Sequence, residues 1–223
     1  MNKHNVQKMK KLFVIFLITT GALSGFSQNA DKAKNLLDEV YNKVNSYENI
    51  FVDFKYALDN TSENIHQETR GDVTIQKNKY LFNYLGATQL YDGNKIYTIV
   101  PENEEVTIED KNENEEGTIT PSKMLTFYKD GYKYEMDIVQ NLRGRKIQYV
   151  KLIPIDSNSE IKQILLGIDA QTKHIYNLIE TGKNGTKTTI TVNSFKTNQP
   201  ISKTLFNFDE KKYENDGYYI IRG

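Results

Sequence analysis

Few side chains in this chain are equipped for catalysis. Three histidines occur, and His4 lies in the amino-terminal leader, so His66 and His174 are the two left to the folded part. They stand far apart, near expected turns or strand edges, and a zinc site would need further nitrogen or sulfur ligands. Cysteine is absent, which removes disulfides, thiolate metal sites and a thiol nucleophile. There is no Gly-x-Ser-x-Gly elbow, no Walker loop and no dinucleotide fingerprint. Acids are plentiful enough for a glycosidase-like carboxylate pair, yet nothing singles out two of them. The densest acidic run, Glu102, Glu104, Glu105 and Glu109 continuing into Asp110–Gly117, lacks the spaced ligands and mid-loop glycine of an EF-hand calcium loop. A solvated loop is its simpler reading. The residue types point away from an enzyme, a metal or a cofactor and toward binding.

The binding chemistry is aromatic and aliphatic. Between Gly71 and Ile108, short runs carry an apolar residue at every second position: Val73 and Ile75, then Tyr80, Phe82 and Tyr84, then Ile96 to Val100, then Val106 and Ile108. Asp92-Gly93 and Pro101-Glu102-Asn103 punctuate them. This is the pattern of an antiparallel meander with one large apolar face. A concave apolar face is the usual geometry for a lipid or acyl ligand. The candidate lining residues are Val52, Phe54, Tyr56, Val73, Ile75, Tyr80, Phe82, Tyr84, Ile96, Met124, Phe127, Tyr132, Tyr134 and Met136. Each also suits ordinary core packing, and tyrosine adds a hydroxyl that can bond a neighbour or a head group.

Several elements must position these side chains. Residues 29–46 place Ala33, Leu36, Leu37, Val40 and Val44 at three- and four-residue spacings, followed by Tyr47, so an amphipathic helix is expected. From Ile50 the period becomes two: Val52, Phe54, Tyr56 and Leu58 form the expected buried face of a first strand. Asp59–Gln67 reads as a hairpin connection. Thr120-Pro121-Ser122 looks like a helix start with proline at the first helical position. Met124, Leu125, Phe127 and Tyr128 then crowd a short helix ended by Asp130-Gly131, either a core plug or a lid. Strands are expected again over 132–138, 146–155, 163–169, 174–181 and 186–195, with Pro154 at a strand end because it cannot donate to a ladder. The sum is about ten or eleven strands. The fold class is mainly β with helices: an unclosed, strongly curved antiparallel half-barrel whose concave apolar face the helices cover.

The leader has the form of an export signal. Lys8, Lys10 and Lys11 precede the apolar run Leu12–Ile18, and Gly25-Phe26-Ser27 offers small residues for cleavage after Ser27. The apolar run is short of the roughly 20 residues of a membrane span. Residues 28–223 are then a single domain in the periplasm of a Gram-negative cell. The whole chain balances 29 basic and 29 acidic residues. Lys3, Lys8, Lys10 and Lys11 lie in the leader, which holds no acid, so the remainder is net acidic, unlike a nucleic-acid binder.

Taken in order, these segments resemble the outer-membrane lipoprotein carrier protein family (LolA), in its Bacteroidetes form. The resemblance rests on Val52-Asp53-Phe54, Gly71-Asp72-Val73, Lys79-Tyr80-Leu81-Phe82, Tyr91 to Tyr97, Glu104 to Ile108, Pro121 to Leu125, Leu152-Ile153-Pro154, Ile164 to Asp169 and Phe206-Asn207-Phe208-Asp209. It implies an unclosed barrel with a helical lid over an apolar cavity. It also implies a periplasmic shuttle that takes triacylated lipoproteins from an inner-membrane ABC release transporter to an outer-membrane acceptor, working as a monomer. Phe82 falls on the family's cavity phenylalanine. Lys77 stands where the proteobacterial form has a lid-bonding arginine, and Asn78 replaces the proline after it. Lysine lacks the planar fork for a bidentate contact, so gating through Lys77 is expected to differ. Two alternatives share the signature: a carrier or sensor of another lipid, and a docking domain that uses the acidic run Glu102–Glu116.

Overall fold

A computed structural model describes residues 28–110 and 123–223. The export signal, most of the acidic loop and the helix start at Thr120-Pro121-Ser122 lie outside the described residues. Twelve strands form one sheet: β1 (Ile50–Asn60), β2 (Ile65–Gln76), β3 (Lys79–Tyr84), β4 (Ala87–Tyr91), β5 (Lys95–Val100), β6 (Glu105–Asp110), β7 (Tyr132–Leu142), β8 (Arg145–Pro154), β9 (Ile161–Asp169), β10 (Ile175–Gly182), β11 (Lys187–Thr197) and β12 (Tyr219–Arg222). Their spatial order is β12-β6-β5-β4-β3-β2-β1-β11-β10-β9-β8-β7, so β12 and β7 are unjoined edges and the curved sheet stays open. All pairings are antiparallel except β12 on β6. Strand twist supplies the curvature. Register shifts at Asp53/Phe54 in β1, Met136/Val139 in β7 and Ile175/Asn177 in β10 bend it further.

Helix α1 (28–45) lays Ala33, Leu37, Val40 and Val44, all buried, onto the concave face. Their spacing makes the single apolar stripe expected of a helix packed on a sheet. Gly71 has a specific job in that face. It pairs with Phe54, whose ring lies across it, and a Cβ there would come within 2.6 Å of both the Phe54 ring and the Asn83 carbonyl oxygen.

Three features differ from expectation. The meander contains an additional hairpin, β3–β4, turned by Leu85 (φ 52°) and Gly86 (φ 78°). Two successive left-handed residues give the tight turn that matches strand twist, and leucine at the first position carries no turn signal. Next, Val106 and Ile108 do not extend the concave face. Period two puts Ile96 inward, and Tyr97 and Ile99 outward; Ile99 pairs with Val106 and Tyr97 with Ile108. These outward residues are covered by Phe208, Tyr213, Tyr218 and Ile220 from the C-terminal segment, which includes α2 (Glu210–Asn215) and β12. Tyr97 and Phe208 stack at 4.2 Å.

The third difference is the expected short α-helix. It is two 3-10 turns, Lys123–Leu125 and Phe127–Lys129, closed by Thr126 N–H to Lys123 O (2.9 Å) and Lys129 N–H to Thr126 O (3.1 Å). The two turns are separated by Thr126 (φ −137°), and together they set Met124, Leu125 and Phe127 on the concave side and bury Tyr128.

Candidate ligand cavity

Between the concave sheet and this cover segment (123–131) lies a cavity of about 170 Å³. Its wall comes from Val52 and Phe54 on β1, Val73 on β2, Met124, Leu125 and Phe127 of the cover, and Tyr132 on β7. Ile161, Ile164 and Leu166 on β9, Ile175, Leu178 and Glu180 on β10, and Thr188, Ile190 and Val192 on β11 complete it. The register explains the convergence: Leu166, Leu178 and Ile190 are cross-strand partners, as are Ile164, Glu180 and Thr188. Directly opposed residues point to the same face.

Of the residues singled out from sequence, Val52, Phe54, Val73, Met124, Phe127 and Tyr132 stand in this wall. The others belong to the same apolar cluster but stand beside or behind it. Phe82 stacks on Phe54 (6.2 Å) and on Tyr84 (5.8 Å), and Tyr56 meets Tyr84 edge-on at 5.7 Å, so Tyr56, Phe82 and Tyr84 make a half-buried aromatic shelf. Ile75 and Tyr80 are buried. The Tyr80 hydroxyl donates to Gln89, and burial, aided by Tyr91, pushes its pKa up to about 12. Ile96 packs against the cluster edge. The Met136 N–H donates to Asn29 at the start of α1.

Tyr134 holds the cover itself. Its hydroxyl lies 2.8 Å from the Tyr128 carbonyl oxygen and 2.9 Å from that of Lys129. Lys129 pairs with Asp38 of α1 at 2.6 Å and lies 4.5 Å from the centre of the Tyr41 ring. The Lys129 and Lys34 ammoniums hold the Asp38 carboxyl below its usual range. Tyr128, within the cover, is fully buried, and its hydroxyl has no partner among the described residues. Lys77, left-handed at φ 55° in the β2–β3 turn, lines a separate cleft of about 250 Å³ with Leu125 and Thr126. Its ammonium makes no ion pair among the described residues.

A more open groove of about 770 Å³ runs past the cover from Tyr41 to Ser159. Phe127, Tyr132 and Ile161 line both this groove and the cavity. Phe127 and Tyr132 meet edge-to-face at 6.0 Å, and these three side chains form the partition.

Sequence reasoning placed Leu125 in the cover but not in the lining, and it passed over the wall supplied by β9, β10 and β11. Those strands alternate legibly, but their inward residues are aliphatic, whereas the aromatic signal lies elsewhere. Among the described residues Glu180 is the one acid in the wall. Burial raises its pKa, and its charge in turn helps raise that of Tyr132, for which burial is the larger cause. Among the described residues no three His, Cys, Asp or Glu side chains gather as a metal site. No described helix is long and apolar enough to cross a membrane.

No curated protein matches the chain. Solved structures share its fold. An uncharacterised conserved protein from Thermus thermophilus aligns with a TM-score of 0.54 at 9% identity, covering 86% of this chain and 99% of that one. LprF from Mycobacterium bovis gives 0.49 at 12% identity, over 78% and 96%. A LolA superfamily protein from Nitrosomonas europaea gives 0.41 at 11%, over 79% and 98%. The profile of the family described as outer membrane lipoprotein carrier protein LolA matches residues 45–209, most of the described sheet. The chain belongs to the LolA family of outer membrane lipoprotein carrier proteins.

Proposed function

We propose that this protein is a periplasmic carrier which binds the acyl chains of lipoproteins and shuttles them from an inner-membrane ABC release transporter to an outer-membrane acceptor. In this reading residues 1–27 are removed on export and 28–223 act as a monomeric single domain that binds rather than catalyses. The observation that carries it is an apolar cavity roofed by a short, separately latched cover. About 170 Å³ is close to the roughly 150 Å³ of an engineered cavity that holds one benzene. Acyl chains of membrane length need more, so they enter with the cover displaced and the partition at Phe127, Tyr132 and Ile161 opened into the groove.

Once admitted, the chains contact the wall residues and the shelf of Tyr56, Phe82 and Tyr84. Ile75, Tyr80, Ile96, Tyr134 and Met136 support that surface from the cluster around it. Each buried CH₂ contributes about 0.8 kcal/mol. Displacing the cover costs part of that gain, which keeps the grip weaker than an acceptor's. The orphan Tyr128 hydroxyl lowers the cost of displacement, because water satisfies it once the cover lifts. Lys77 bears on the cover from the β2–β3 turn as a point charge, in place of the family's arginine.

The test is release of a newly made lipoprotein from spheroplasts that contain the cognate transporter. The exported, processed protein is expected to bring the lipoprotein into the soluble fraction, and a Met124→Glu variant is not. Equal release by both would overturn the reading.

A further inference from the structure

Antiparallel pairing brings the connections β1–β2, β3–β4, β5–β6, β8–β9 and β10–β11 to one end of the sheet, with the start of β7. The start of β12 joins them, because β12 runs parallel to β6. The cavity reaches this end: Tyr132 and Ile161 are the first residues of β7 and β9, and Thr188 is the second of β11. The groove opens here too, past Gly131, Pro154 and Asp156. This rim is the mouth. The three most exposed large apolar side chains among the described residues all stand on it: Tyr219 (72%), Leu85 (69%) and Ile155 (61%). Ile138, Val139 and Ile221 are less exposed and lie further from it. Tyr219 opens β12, Leu85 follows Tyr84 of the aromatic shelf, and Ile155 donates its N–H to the Gly131 carbonyl oxygen at the end of the cover (2.9 Å). None of the three belongs to either apolar cluster. Leu85 also holds φ 52°, where asparagine or glycine is the ordinary residue and leucine is disfavoured. Neither packing nor turn geometry accounts for it.

Scattered exposed apolar residues are ordinary, but these are gathered where acyl chains must leave. The order of the strands sets Glu102 and Glu104 between Tyr219 and Leu85 along the rim, and Glu63 and Lys183 between Leu85 and Ile155. The three tips therefore do not merge into the contiguous apolar area that a stable protein partner buries. Single protruding side chains suit a fluid interface, where a leucine reaches hydrocarbon and a tyrosine lies at head-group level. Among the rim connections Lys183 stands against Glu63, Glu102, Glu104, Asp156 and Glu160, a balance that disfavours anionic lipid. We propose that the mouth rim docks on a zwitterionic lipid surface, with Leu85 as the inserting residue, and that acyl chains pass from cavity to bilayer during this contact. Full burial of one leucine side chain shifts a partition by roughly ten- to a hundredfold, enough for a brief, reversible touch. The proposal rests on the carrier reading and adds its last step. An acceptor at that membrane then meets a carrier already held there.

The test loads the exported protein with a fluorescent triacylated lipopeptide and follows its transfer to phosphatidylcholine vesicles that carry a quencher and no protein. The wild-type rate is expected to rise in proportion to vesicle concentration, as contact-limited transfer requires. Leu85→Asn, which suits the left-handed turn, is expected to load as well as the wild type, to unfold no earlier on heating, and to transfer at least about tenfold more slowly. Leu85→Met keeps an apolar tip and is expected to stay within about threefold of the wild type. A wild-type rate independent of vesicle concentration means that the chains leave through water, and overturns the docking while leaving the carrier reading intact. The same holds if loaded wild type transfers nothing to protein-free vesicles, since the rim then meets a protein. Undiminished transfer by Leu85→Asn, or a rate that rises with added phosphatidylglycerol, overturns it as well, because another surface then makes the contact. Failure of the lipopeptide to load overturns the carrier reading and the docking together.

Discussion

Two tyrosines bear on the cover with opposite sign, and exchanging each for phenylalanine tests whether the ligand-bound state is the uncovered one. The Tyr134 hydroxyl shares one proton between the carbonyl oxygens of Tyr128 and Lys129, at 2.8 and 2.9 Å. Tyr134→Phe removes that bond from the covered state only, at a net cost of about 0.5–1.5 kcal/mol. The uncovered fraction then rises roughly two- to tenfold. While the covered state dominates, apparent affinity rises by the same factor. Tyr128→Phe removes a buried hydroxyl that has no partner among the described residues. Relief of about 1–3 kcal/mol stabilises the covered state, so affinity falls roughly five- to a hundredfold. The assay is titration with a fluorescent fatty-acyl probe, alongside amide hydrogen exchange over 124–131. Exchange there is expected to quicken in Tyr134→Phe and slow in Tyr128→Phe. Weaker binding by Tyr134→Phe together with tighter binding by Tyr128→Phe would refute the reasoning and mean that the cover closes over the ligand.

Met124→Glu puts a charge into the cavity and is expected to abolish binding of the acyl probe, whereas Phe82→Glu, on the shelf, should weaken it while both stay folded; circular dichroism and titration check this. For Glu180, burial raises the folded pKa above the ordinary 4.5, so the folded state holds its proton more tightly than the unfolded chain. Stability from this group is therefore lost as pH rises from 4.5 through the raised value. Glu180→Gln should flatten that decline and gain stability at neutral pH relative to the wild type, as measured by denaturant midpoints on either side of the window. Gly71→Ala should destabilise by about 1–3 kcal/mol, because the new methyl meets the Phe54 ring and a backbone oxygen that cannot both yield. Lys129→Met keeps the stem over Tyr41 but breaks the partly exposed pair with Asp38, so the covered state should weaken by less than about 1 kcal/mol, and only at low salt.

The sheet was legible wherever one face is buried and the other wet. The alternation of Val52, Phe54 and Tyr56 against Asp53 and Lys55 predicts β1, and the stripe Ala33–Leu37–Val40–Val44 predicts α1. Legibility failed where the cue depends on distant chain. Nothing local to Ile99, Val106 and Ile108 tells that their apolar face is the outer one, since that depends on Phe208, Tyr213 and Tyr218 arriving from the C-terminal segment. Leu85 hid a turn because its left-handed backbone is imposed by the flanking strands rather than announced by residue type. At the cavity, aromatic content led to β1, β2, β7 and the cover. Glu180 looked like any polar residue of an alternating strand. Only the register with Ile164 and Thr188 turns it inward.

The central claim is that the space beneath the cover takes acyl chains. Native mass spectrometry of the exported protein, mixed with a synthetic triacylated lipopeptide and separately with the same peptide lacking acyl chains, tests it most directly. A one-to-one complex with the acylated peptide alone is the predicted result. Complexes with both peptides, or with neither, would contradict the account.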